Sequence, residues 1–299
     1  MGRFIAWRLL RVGRTRLIAL LWLLSAAAAA APQPTVGVLY EVRSVTTGAV
    51  SFLLGTIHSE DPRVTALSAP VQAAFAASPR FAMEVLPDTQ AIIKSMVTMT
   101  YTDGRTLRDV LPEDLYRQVS AVLEGRGMSE AAYRDFKPWA VVTMLSVPPT
   151  KTGEFLDMQF YRTAVTSQKQ VKGLETMEEQ LALFDQLGVC DQVDLLAETL
   201  DSLEQMPAMF ESLTLAYLAR DLDALMLISR TYLGGLNARL AAHFWESVVD
   251  ARNRRMAERM VPLLDQGGWF IAVGALHLPS PNGILQLLRQ RGFEVRAVD

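Results

Sequence analysis

The chain of 299 residues has one cysteine, Cys190, so no disulfide can form within it. Stability must come from packing, for which this length is ample, and Cys190 is expected to be a small buried apolar residue. Histidine is nearly as scarce. His58, His243 and His277 are the only three, which confines imidazole chemistry to few positions. Low-complexity sequence is missing apart from an alanine run near the start, and with half the residues apolar and a fifth charged this excludes a disordered chain. The most membrane-like run, Leu17 to Ala31, is short of the roughly 20 residues a spanning helix needs. A basic excess is lacking too, with 29 Lys and Arg against 32 Asp and Glu.

The few features at the N-terminus form a pattern of their own. Arg3, Arg8, Arg11, Arg14 and Arg16 precede the apolar run, and small residues from Ala26 to Ala31 offer A-x-A cleavage sites before Pro32. This is the layout of a secretory signal peptide over residues 1–31, which predicts a periplasmic or secreted protein. Retained, the segment would be the chain's one membrane contact. No cysteine follows the run, which argues against a lipoprotein. Without the leader 24 basic residues face 32 acidic ones, a net charge of −8. Such a field repels polyphosphate, so nucleic acid is excluded as a partner.

Residues 32–299 read as one α/β domain. Val36 to Ser44 and Ala49 to Ile57 are predicted strands around a turn at Val45 to Gly48. A helix is expected at Ser68 to Ala77 and a strand at Arg80 to Leu86, closed by Pro87. Thr106 to Val147 has helical spacing, and Lys169 to Leu174 is another strand. Thr176 and Glu179 form a capping box opening a helix to Leu187, and residues 191 to 265 are almost wholly helical. Strands return at Trp269 to Val273 and Phe293 to Val298, around a helix at Gly283 to Arg291. The expected fold is a mixed sheet built from the N- and C-terminal segments, with a large central helical insertion.

Two stretches carry the same motif. Gly55-Thr-Ile-His58 and Gly274-Ala-Leu-His277 each place G-x-x-H after an apolar strand, and Glu84 closes the strand Phe81-Ala-Met-Glu84. Sites in open sheets form beyond the carboxyl ends of strands. Two imidazoles and a carboxylate meeting there could hold Zn²⁺, Mn²⁺ or Co²⁺ with positions left open for water. The residues alone leave blander readings open. The histidines could be satisfied core residues, and Glu84 could pair with a basic side chain such as Arg252 as readily as with a metal. Asn253 falls inside the apolar stripe Val249, Met256, Met260 and Leu263, where a polar group needs a partner or a polar cavity; Arg252 borders that stripe and Arg254 and Arg255 are expected to turn toward solvent. Glu175 stands at a helix start, a place carboxylates favour anyway. The thirteen methionines, Met206 and Met209 among them, fill core gaps or line an apolar cleft.

Taken together and in order, Leu54-Gly-Thr-Ile-His58, Ala82-Met-Glu84, Lys172-Gly-Leu-Glu175 with Glu179 and Gln180, Arg252 and Asn253 with Met256, and Val273-Gly-Ala-Leu-His277-Leu278 resemble the TraB/GumN family, which is similar to the Tiki metalloproteases and more distantly to EreA-type esterases and ChaN. The resemblance spans roughly residues 36 to 298. It implies an EreA/ChaN-like fold and a centre of His58, Glu84 and His277, with His58, His277 and Glu84 as metal ligands or Glu84 as general base. Arg252 and Asn253 would lie beside it, and Glu175 is a second carboxylate. Asp157, in Gly153-Glu-Phe-Leu-Asp157, resembles a G-x-D segment of the family without a defined role. The implied activity is hydrolysis of a peptide or another small carbonyl substrate, with or without metal. The rival is a protein that sequesters a peptide or haem without turnover.

Overall fold

The computed structural model describes residues 37–87, 89–147 and 152–298. The expected signal peptide, 1–31, lies outside the described residues. Six strands form one sheet in the order β4-β3-β5-β2-β1-β6. They are β1 (Leu39–Ser44), β2 (Val50–Thr56), β3 (Arg80–Met83), β4 (Gln170–Gly173), β5 (Trp269–Gly274) and β6 (Phe293–Ala297). Helices of seven residues or more are α1 (Ala69–Ala77), α2 (Thr89–Thr98), α3 (Glu113–Gly125), α4 (Pro138–Leu145), α5 (Leu156–Thr166), α6 (Met177–Asp185), α7 (Val189–Ser202), α8 (Met206–Leu218), α9 (Leu222–Tyr232), α10 (Ala238–Trp245), α11 (Ala251–Gln266) and α12 (Ile284–Gln290). The fold is α/β with a mixed sheet, as the alternation of strand and helix patterns implies.

The expected hairpin is β1 and β2, antiparallel, with Gly48 at φ +73° donating its N–H to the Ser44 carbonyl. A left-handed residue is what this tight return needs, and glycine adopts it without strain. The centre of the sheet is β5, whose residues Trp269 to Val273 are all buried. An unbroken apolar run suits a strand covered on both faces. Both of its neighbours run parallel to it. Thr56 of β2 is level with Gly274, and Met83 of β3 with Ala272. The loops carrying His58, Glu84 and His277 therefore leave the sheet from adjacent strands at the same edge.

Phe75, Phe81, Phe160 and Phe270 pack on one another under the sheet, with ring centroids 5.0 to 6.5 Å apart. Each ring meets the other three, and Phe270, on the central strand, is fully buried. Phe270→Ala is expected to cost about 3–5 kcal/mol in urea unfolding, from the lost transfer energy and the cavity left behind. A loss below about 1 kcal/mol would mean the site had collapsed around the smaller residue. A second apolar cluster, including Leu107, Val119, Leu145, Leu196 and Leu240, joins the central helices to one another.

Three differences from expectation have physical causes. The predicted strand Arg80 to Leu86 stops at Met83, so Glu84 lies just past it, where its side chain can turn to the β5 end. Helices α2 and α5 were not expected, and Phe155 at the α5 N-cap offers no capping side chain to announce it. The helical stretch 106–147 resolves into four helices, with extended residues at Leu111, Pro112, Ser129 and Lys137 between them. Cys190 is exposed near the start of α7 and is not a core residue. No helix among the described residues is long and apolar enough to cross a membrane.

Candidate functional site

The two motif glycines allow the strand ends to close on each other. A Cβ on Gly55 would sit 2.7 Å from Leu278 Cδ1 and 3.1 Å from Ala275 Cα, so the β2 end can approach the 275–278 turn only without one. A Cβ on Gly274 would lie 3.2 Å from Glu84 Oε1. Its absence lets the carboxylate reach the Gly274 N–H, which donates to Oε1 at 2.6 Å. The spacing of the motif thus follows from close packing at the sheet edge.

Glu84 and Glu175 are brought together by continuing the β3–β4 ladder one step: the Glu175 N–H donates to the Glu84 carbonyl at 2.7 Å. Arg252, from α11, lies between the two side chains. Its Nε donates to Glu175 Oε2 at 2.8 Å, its Nη2 donates to Glu84 Oε2, and its Nη1 stands 3.2 Å from His277 Nε2. Gln180 Nε2 bridges both carboxylates at 3.2 Å each. The Glu175 side chain has no exposure and also receives Arg255, through Nε at 2.8 Å and Nη2. One buried and one largely buried acid thus face one buried and one half-buried arginine, the pairing that charges out of water require.

His277 is buried, and its tautomer can be read from its neighbours. Asn253 Nδ2 donates to the Asn282 carbonyl at 3.0 Å, which turns Asn253 Oδ1 to the ring, 2.7 Å from Nδ1. Nδ1 must then carry the proton, and Nε2 presents its lone pair to Arg252 and, at 3.8 Å, to Glu84 Oε1. Burial pushes the His277 imidazole down to about 4, with Arg252 reinforcing and Glu84 opposing, so the ring is neutral at pH 7. Burial alone would raise the Glu84 carboxyl. His277, Arg252 and the Gly274 N–H outweigh it and hold Glu84 down at about 2. Burial works against a charged Arg252, and Glu84 and Glu175 more than compensate by raising its pKa.

His58 is placed differently from the other sequence-derived residues. Its side chain is 69 % exposed, on the loop after β2, with Nε2 3.7 Å from Asp157 Oδ2. Asp157 is buried at the start of α5 and accepts from Thr56 Oγ1 at 2.6 Å, while its Oδ2 has no hydrogen-bond partner. Burial raises the Asp157 carboxyl, with His58 opposing. The structure therefore brings Glu84, Glu175, Arg252, Asn253 and His277 into one cluster and sets His58 beside it, paired with Asp157. Among the described residues no preformed group of three His, Cys, Asp or Glu could hold a metal ion. The fit to a divalent ion is partial: His277 Nε2 and Glu84 Oε1 are spaced as two ligands at about 2.0–2.2 Å from one ion could be. Asp157 Oδ2 is a further unsatisfied acceptor on the His58 side.

Sequence reasoning missed Gln180 as a bridge, Thr56 as a donor to Asp157, and the role of Arg255. The last is a correction. Arg255 does not turn to solvent but binds Glu175, and only Arg254 is exposed, paired with Glu246. The signal was present in Arg252, Arg255 and Arg259, three and four residues apart and hence on one helix face. They meet Glu84, Glu175 and Glu179 in turn.

Comparison with known proteins agrees with this picture at the level of family. Metalloprotease TIKI2 of Xenopus tropicalis is 26 % identical over 302 aligned residues, which cover 82 % of this chain and 57 % of that protein. Metalloprotease TIKI1 of Homo sapiens is 26 % identical, covering 82 % and 59 %, and TIKI1 of Danio rerio 25 %, covering 82 % and 60 %. The chain thus spans less than two thirds of the length of these relatives. No solved structure matches it, so the EreA/ChaN likeness stays with the sequence resemblance. The TraB/PrgY/gumN family profile matches residues 38–297, every clustered side chain included, and the chain belongs to that family.

Proposed function

We propose that the protein is a metal-dependent hydrolase of peptide bonds that works outside the cytoplasm. The observation that carries this reading is the neutral His277, its lone pair at Nε2 facing the ionised Glu84 at 3.8 Å beside a fixed cation, Arg252. The name metalloprotease borne by the relatives supports it, and the basic, apolar, small-residue leader supports the compartment. A divalent ion (Zn²⁺, Mn²⁺ or Co²⁺) would be held by His277 Nε2 and His58, with Glu84 as third ligand or as general base, and would supply activation of water near neutral pH. The protein groups do the rest. Asn253 fixes the His277 tautomer, as partners of ligand histidines commonly do. In the alternative arrangement Glu84, ionised, is not a ligand and serves as the general base that takes a proton from water. Arg252 offers donors to an oxyanion developing on the substrate carbonyl. Asp157 orients the exposed His58 ring from behind.

Metal analysis and a peptide-library cleavage assay test this on the purified chain and on His58→Ala. Stoichiometric metal in the wild type is expected, with cleavage reduced about 10²-fold or more in the variant. Full cleavage by metal-free His58→Ala protein would end the metal reading. One observation favours a second possibility: Arg252 already supplies the positive charge that Glu84 and Glu175 need. Activity that survives chelation but needs His277 would point to an esterase-like, metal-free centre. Stoichiometric peptide or haem capture without product would instead mark a sequestering protein.

A further inference from the structure

A cavity of about 400 Å³ lies among the central helices and is walled mainly by hydrocarbon, with Phe184, Met209, Phe210, Leu213, Phe244 and Trp245 as its largest faces. It has the size of a ligand site, and is more than twice the roughly 150 Å³ that accepts a benzene. It borders the polar cluster without including any of that cluster's side chains in its wall. Leu276, the residue before His277, stands in its wall, and so does Val248, whose carbonyl faces Arg252 Nη1 at 3.4 Å. The link is the π turn Glu246–Asp250 between α10 and α11, which sets Val248 and Val249 in the cavity wall one turn before Arg252 and Asn253. π segments inside helices often mark functional sites.

The wall chemistry restricts what can enter. Among the described residues Glu198 is the one charged side chain lining the space; the hydroxyls of Thr143 and Thr199 are spent on the Ala140 and Leu195 carbonyls of their own helices, which leaves Ser146, Ser202, Ser229 and Tyr232 as the other hydroxyls of the wall. A peptide main chain drawn inside would present more N–H and C=O groups than these few hydroxyls can satisfy. An extended peptide left outside can send in only alternate side chains, since neighbours point to opposite faces. A hydrocarbon chain has neither restriction.

We infer that the cavity receives the acyl chain of an N-acylated amide substrate, with the acyl carbonyl at its mouth beside His277 and Glu84. The binding half stands on the cavity; the cleavage half rests on the hydrolase reading above. In the cleavage half water adds its oxygen to the acyl carbon, the C–N bond breaks, and a water proton passes to the leaving amine. The products are a carboxylic acid and an amine, and no redox partner is needed.

The test uses neutral probes so that Glu198 does not repel them: N-acetyl-, N-octanoyl- and N-dodecanoyl-glycinamide, with an unacylated Phe-Phe dipeptide amide, titrated calorimetrically into the whole chain. Affinity is expected to rise about a hundredfold or more from acetyl to dodecanoyl, as buried methylenes accumulate. Met209→Trp, which fills the cavity from a half-buried position, is expected to abolish that rise while keeping the melting temperature. Leu213→Trp is the second filling variant, should the first not fold. Equal affinities along the series, a rise that survives in a folded filling variant, or a preference for the Phe-Phe probe would overturn the inference. Chain-length-dependent binding with no hydrolysis of any probe supports the cavity assignment and sinks the hydrolase reading alone.

Discussion

Arg252→Met should destabilise the protein by about 3–5 kcal/mol in urea or thermal unfolding, and should also remove its activity. Arg252 is 7 % exposed and its side chain ties together three parts of the chain: Glu84 after β3, Glu175 after β4, and His277 after β5. Methionine keeps the apolar stem and deletes every donor. The acids are then unequally stranded. Glu175 keeps Arg255, while Glu84 keeps only the Gly274 N–H and the Gln180 amide. Removing one partner from a buried ion pair typically costs about 3–5 kcal/mol because an uncompensated charge remains. Arg255→Met is the comparison. Its side chain is 28 % exposed and its partner retains Arg252, so a loss of about 1 kcal/mol is expected. If both arginines cost the same, the cluster is no tighter than its rim. Adding Glu84→Gln to Arg252→Met should recover part of the loss, since the stranded charge is then gone.

Much of this site was legible in the sequence, and the reason is local. A glycine followed three residues later by histidine, at the end of an apolar strand, specifies both a close approach and a side chain beyond the sheet edge. Gly55 against Leu278 and Gly274 against Glu84 bear that out. Asn253 was legible because an amide inside the stripe of Val249, Met256, Met260 and Leu263 must find a partner, and it finds His277 and the Asn282 carbonyl. Other features depended on pairing between distant segments. That Glu175 lies against Glu84 follows from β4 running beside β3, a crossover through helices that periodicity does not reveal. That His58 faces Asp157 follows from α5, whose start has no cap signal. The choice between metal and arginine as the cation for Glu84 could not be made from residue types, since either satisfies a buried carboxylate.

Glu84→Gln separates the charge of this side chain from its shape, and a fall in turnover of about 10²–10⁴-fold is expected with the fold retained. The amide cannot satisfy both of its present neighbours. Oε1 accepts from Gly274 and Oε2 accepts from Arg252 and Gln180, so whichever way the amide turns, its NH₂ meets a donor. That conflict should cost about 1–3 kcal/mol at neutral pH. The acid limb of the stability curve then identifies the groups. In the wild type, His277 sits at about 4 against 6.5 unfolded, so the stability tied to its neutral form is complete above about 6.5 and is lost as pH falls through about 4. Glu84 sits at about 2 against 4.5, so its share is complete above about 4.5 and is lost as pH falls through about 2. In Glu84→Gln the lower loss should vanish. The upper one should persist and extend to lower pH, because His277 no longer has the carboxylate that opposes its depression. Urea melts of both proteins at half-unit steps from pH 7 to pH 1.5 measure this directly. An unchanged lower limb in the variant would mean that another acid held down by an arginine governs the loss, with Glu179, which Arg259 holds at about 2, the nearest candidate.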